Sequence, residues 1–246
     1  MPSKLSLELE QLKPRIPLSN KGTYSEFVRL MHLPLPFCVL AFATIGAALS
    51  ERVYLDRLVL TYAGILLGLC LCAYSLDELN GRPYHTNFSD RTLWVMAAVG
   101  ITGAFAVGVY LALTVSAYVL ILAALATFFI FSYNLELFDG RFHNAGWFGL
   151  SWGGISTFGG YYVQALNLSL SALLVSAMAS VFSVGILHLT HKFRPRELSK
   201  NLKGKSRAAD LVKYTRQTRR IAWTIAKIEC YAMILLALGL IIQKLI

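Results

Sequence analysis

Seven apolar runs divide this chain, at about 33–50, 58–76, 93–113, 116–133, 146–164, 168–190 and 221–243. Several approach or exceed the roughly 18 residues that a helix needs to cross a bilayer. Hydrocarbon offers the backbone no hydrogen-bond partner, so each run has to satisfy its own N–H and C=O groups, which a helix does within one segment. The expected fold is therefore all-α: a polytopic transmembrane helical bundle of about seven spans. Composition agrees, with 56% hydrophobic and 15% charged residues, where soluble domains are about a quarter charged. The bundle is expected over residues 33–246, after an N-terminal arm at 1–32.

The arm lacks the apolar core of a cleavable signal, since Glu8, Glu10, Lys13 and Arg15 mix there with Pro14 and Pro17. A net charge of +10 would suit nucleic acid, but its distribution points to the membrane instead. Residues 192–220 hold eleven Lys and Arg against Glu197 and Asp210. With the N-terminus inside, the arm, 77–92, 134–145 and 191–220 carry nineteen basic residues. The opposite side carries three: Arg52, Arg57 and Lys244. That asymmetry orients the N-terminus and the basic loop 192–220 to the cytoplasm. Membrane lipids are the expected partners, and nucleic acid is not. The four cysteines, Cys38, Cys70, Cys72 and Cys230, fall inside apolar runs without a C-x-x-C pair. They read as buried thiols, with neither a zinc site nor a disulfide framework.

The polar residues that do not fit a plain connection lie between the second and third runs. Asp77, Glu78, Arg82, His85, Asp90 and Arg91 crowd there, and Gly81 with Pro83 already supplies a turn. Acids at the very end of a span are costly and mark a candidate site. The fourth and sixth runs end in similar polar stretches, Tyr133–His143 and His188–Arg196. Asp77, Tyr133 and His188 are accordingly expected to line one pocket above an apolar chamber. His188 and His191, three apart, share a helix face, and His32 stands at the mouth of the first run. Glycines at 64, 68, 149, 153, 154, 159 and 160 either let helices approach closely or thin them to admit a lipid chain.

Three stretches carry a family resemblance. They are Ala73-Tyr-Ser-Leu-Asp77-Glu-Leu-Asn-Gly-Arg82-Pro83 with Ser89 beyond it, Tyr133-Asn134 followed by Arg141, and Gly159-Gly-Tyr-Tyr-Val-Gln164. In these the chain resembles the UbiA superfamily of intramembrane prenyltransferases, whose first aspartate motif, N-D-x-x-D-x-x-x-D, closes the second span. The pattern departs in places. Aligning Asp77 with the central aspartate sets Ala73, Tyr74 and Gly81 at the other positions. Where the family has a second aspartate motif, this chain reads Leu187-His188-Leu-Thr-His191, with no acid before Glu197.

The resemblance implies transfer of an isoprenoid from an allylic diphosphate to a quinone-like or lipid acceptor. It implies Asp77, Arg82, Tyr133 and Arg141 as catalytic residues, with Asp77 and Glu78 holding Mg2+. Lys192, Arg194, His188, His191, Tyr161 and Gln164 would bind substrate. Magnesium wants several oxygen ligands, and Asp90 and Asp139 are the further acids near these positions. The alternative is a non-catalytic relative that binds a quinone, isoprenoid or lipid as a subunit of a larger membrane complex.

Overall fold

The structure, a computed structural model, describes residues 22–31, 33–191 and 205–246, with side chains at all of them but 190–191 and 205–219. Every regular element among the described residues is a helix. We number them α1 (Thr23–Met31), α2 (Leu35–Ala48), α3 (Leu55–Leu79), α4 (Asp90–Thr114), α5 (Val119–Asn134), α6 (145–165), α7 (Leu170–His191) and α8 (Lys205–Leu245). Two of them change pitch inside: α3 widens to a π-helix over Leu66–Ala73, and α6 over Leu150–Ile155.

Each apolar run is a helix, and among the described residues four helices are long and apolar enough to cross a bilayer: Leu55–Leu79, Asp90–Thr114, Leu170–Leu189 and Arg220–Leu245. At most 39% of the apolar window of any of these is buried, which leaves broad faces for lipid. The others are less regular. α1 and α2 pass the same test only as a pair bent by 48°, and α5 is a shorter apolar helix of 16 residues. In two places the chain is more helical than its composition suggests. Within the arm, Thr23–Met31 is a helix docked on the end of α3. The second half of the basic loop is helix as well, continuous with the last apolar run in a rod of 41 residues, about 60 Å long at 1.5 Å per residue.

The first apolar run becomes the centre of the bundle. Twelve of the fourteen residues of α2 are buried, and its main partners are α6 and α8. A helix apolar all round belongs in an interior, and the small residues of α2 let its partners close in. A Cβ added to Gly46 would lie 1.9 Å from the Thr157 carbonyl oxygen, and one on Gly160 would lie 2.1 Å from that of Ala43. The same device joins α6 to α7, where a Cβ added to Gly153 would lie 2.1 Å from the Ala179 carbonyl oxygen. Lipid supplies little hydrophobic drive between helices, so backbone proximity and dispersion hold such a bundle together.

Candidate functional site

A cavity of about 220 Å³ lies between α2, α3, α4, α5 and α6. Its walls are apolar, with Thr61, Thr127, Ser151, Ser156, Tyr133 and Asn134 as the polar members, and among the described residues none that lines it is charged. Both π-helical segments face it: Gly68, Leu69 and Ala73 from α3, and Ser151, Trp152 and Ile155 from α6. Wide turns of this kind cluster at functional sites. The glycines divide between the two roles open to them. Gly46, Gly149 and Gly153 serve helix contact, Gly64, Gly68 and Gly159 line the cavity, and Gly160, packed against Ala43, does both. A Cβ added at Gly159 would meet no atom within 4 Å.

A row of ring contacts runs from the Tyr133 end. His143 stacks on Tyr133 at 4.5 Å, Tyr133 meets Phe148 at 5.7 Å, and Phe148 stacks on Trp152 at 4.6 Å. From Trp152 the row passes to Tyr74 at 6.5 Å and on to Tyr84 at 5.7 Å. The Tyr84 hydroxyl donates to Asp77 Oδ2 at 2.8 Å. Burial pushes the Tyr84 phenol well above its ordinary range, and the negative charge of Asp77 pushes it the same way. Asp77 itself is not on the cavity wall.

Glu78 is fully buried and binds the loop that follows α3. Its Oε2 accepts from the Tyr84 amide at 2.8 Å; its Oε1 accepts from the Thr86 amide at 2.7 Å and the Thr86 hydroxyl at 2.9 Å. A second buried carboxylate, Glu26 of α1, holds the same loop from the side. It accepts from the Asn87 amide at 2.9 Å, from Asn87 Nδ2 at 3.2 Å and from Arg29 at 3.3 Å. Arg29 also donates to the His85 carbonyl at 3.3 Å. Arg82 donates to the Phe88 carbonyl at 2.7 Å and pairs with Asp90, which opens α4. These bonds hold a path with φ of +96° at Gly81, +53° at Arg82 and +52° at His85, a left-handed region that costs a non-glycine residue about 1–2 kcal/mol.

The other expected site residues are dispersed. Asn80 Nδ2 donates to the Asn134 carbonyl at 3.2 Å, so the ends of α3 and α5 do meet. Tyr133 lines the cavity; Arg141 is exposed on the loop beyond it. Tyr161 and Gln164, expected to bind substrate, lie at the opposite end of the bundle from Asp77. Gln164 Oε1 accepts from the Tyr54 amide at 2.7 Å, and its Nε2 donates to the Tyr54 carbonyl at 3.3 Å. Tyr54 precedes the first residue of α3, on the order of 35 Å along the helix from Asp77. Tyr161 is buried and bonded to Asn167. The direction of successive spans already carried that signal, since α6 runs away from the Asp77 end.

His188 is exposed on α7 and, like Asp77, is not among the described residues that line this cavity with Tyr133. The side chain of His191, together with Lys192, Arg194 and His32, lies outside the described residues. The residues that organise this end, Glu26, Tyr84 and Thr86, went unnoticed because an acid on a short helix and a Tyr or Thr in a loop carry no motif.

The acids expected near the magnesium position are bonded to other groups or exposed. Glu78 spends both oxygens on three loop donors, Asp77 accepts from Tyr84, Asp90 pairs with Arg82, and Asp139 is exposed on the other loop. Among the described residues no three His, Cys, Asp or Glu side chains are grouped to hold an ion. Compared with family models, curated proteins and solved structures, the chain gives no match.

Proposed function

We propose that this chain is a UbiA-type integral membrane protein that binds an isoprenoid chain in the cavity between its helices, as a holder rather than a transferase. The single observation that carries this is the cavity wall. It is apolar, thinned by Gly64, Gly68 and Gly159, widened by two π-helical segments, and lined by no charged side chain among the described residues. Apolar concave sites with a few polar groups at one end suit long hydrophobic ligands. The sequence resemblance supplies the isoprenoid. Prenyl transfer is the weaker reading because Asp77 and Glu78, the two acids it would use for Mg2+, are bonded to Tyr84 and Thr86.

In this reading all seven apolar helices cross the membrane, the bent α1–α2 pair included. The N-terminus, the Asp77 end and the basic segment face the cytoplasm, as nineteen basic residues against three require.

Lipid extraction and mass spectrometry of the purified full chain test the binding role. Wild type should retain a polyisoprenoid lipid that Gly159→Leu, with a side chain filling the cavity, largely loses. Equal lipid content in the two proteins would remove the basis for the proposal.

A further inference from the structure

The charges and hydrogen bonds at the Tyr133 end say what kind of head group the cavity can take. A prenyl diphosphate carries at least two negative charges, and burying them against apolar walls without paired cations is strongly unfavourable. The arginines described on the elements at that end are committed or exposed. Arg82 is bonded to Phe88 and Asp90, Arg29 to Glu26 and His85, and Arg91 at the start of α4 and Arg141 on the loop after α5 are exposed.

Asn134 favours the opposite chemistry. Its Nδ2 donates to the Ile130 carbonyl at 2.7 Å, and because a carbonyl only accepts, the amide nitrogen has to face it. The Oδ1 of this cavity-lining residue is thereby left as an acceptor, with no donor bonded to it among the described residues.

We infer that the cavity takes a long apolar chain ending in an uncharged hydroxyl, as in a prenol or a quinol, whose O–H donates to Asn134 Oδ1, and not a prenyl diphosphate. This rests on the binding role proposed above and specifies its ligand. The hydroxyl is desolvated on entering the cavity and needs one acceptor, which Asn134 supplies; a hydrocarbon would leave that acceptor unpaired.

The full chain in lipid nanodiscs, labelled with tritiated geranylgeraniol, tests it by competition. Unlabelled geranylgeraniol, or a quinol bearing the same chain, should displace the label at about ten-fold lower concentration than geranylgeranyl diphosphate, the penalty of an unpaired buried charge. Whichever of the two hydroxyl ligands competes better identifies the source of the head group. A diphosphate that competes as well as the alcohol, or better, overturns the inference.

Asn134→Leu should narrow the preference for alcohol over the matching hydrocarbon by about five-fold, the worth of one hydrogen bond. An unchanged preference also overturns it. Persisting hydrocarbon binding certifies that the variant is folded, and if both ligands are lost the wild-type competition decides alone. Labelling that Gly159→Leu leaves untouched would instead refute the binding role itself, and this inference with it.

Discussion

Thr86 is bound twice by one carboxylate oxygen of Glu78, through its amide at 2.7 Å and its hydroxyl at 2.9 Å. An acid that sequence reasoning assigns to a metal is thus the anchor of the loop that crosses the end of the bundle. Glu78→Ala strands these loop donors in a buried place, and is expected to cost about 3 kcal/mol. Thermal unfolding in detergent measures the loss, and limited chymotrypsin digestion should cut at Tyr84 faster than in wild type. Wild-type stability and cutting rate would show that the loop does not depend on Glu78.

Adjacent glycines should behave in opposite ways. At Gly160 an added methyl would lie 2.1 Å from the Ala43 carbonyl oxygen, so Gly160→Ala has to push α6 from α2, at about 3 kcal/mol. Gly159→Ala meets nothing within 4 Å and should be neutral or stabilising by up to about 1 kcal/mol. Unfolding temperatures of the two variants in one detergent compare them directly, and equal shifts would contradict this division of roles.

The Tyr84 phenol is held neutral by burial first and by the charge of Asp77 second. A raised folded-state value means that the stabilisation is complete below the unfolded value, near pH 10, and is lost as pH rises from there through the folded value. In a phenolate absorbance titration, Tyr84→Phe should therefore remove a late-titrating group and leave the step near pH 10 unchanged. Asp77→Asn should bring that late group to lower pH. A Tyr84→Phe variant that lost amplitude near pH 10 would refute the assignment.

Orientation has a direct test at Ser206, inside the basic segment. With the four native cysteines replaced, Ser206→Cys in intact cells should resist an impermeant thiol reagent and react once the cells are opened. Labelling from outside would reverse the proposed topology.

The features legible in the sequence are local in origin. Runs of apolar residues long enough for a bilayer have to become helices because lipid satisfies no backbone group, and every such run did. Gly81 marked a turn because its φ of +96° suits a residue without a Cβ. Tertiary structure alone decided which faces meet. A helix in lipid is apolar toward its neighbours and toward the solvent alike, so no amphipathic stripe distinguishes the central α2 from the peripheral helices. For the same reason nothing local announced that Gly160 would touch Ala43 while Gly159 opened onto a cavity, or that two helices would widen around it. The fate of Glu78 was equally remote from its neighbours in sequence. A carboxylate at a helix end can face an ion, water or a loop, and only the left-handed path through Arg82 and His85 brought Tyr84 and Thr86 back to its oxygens.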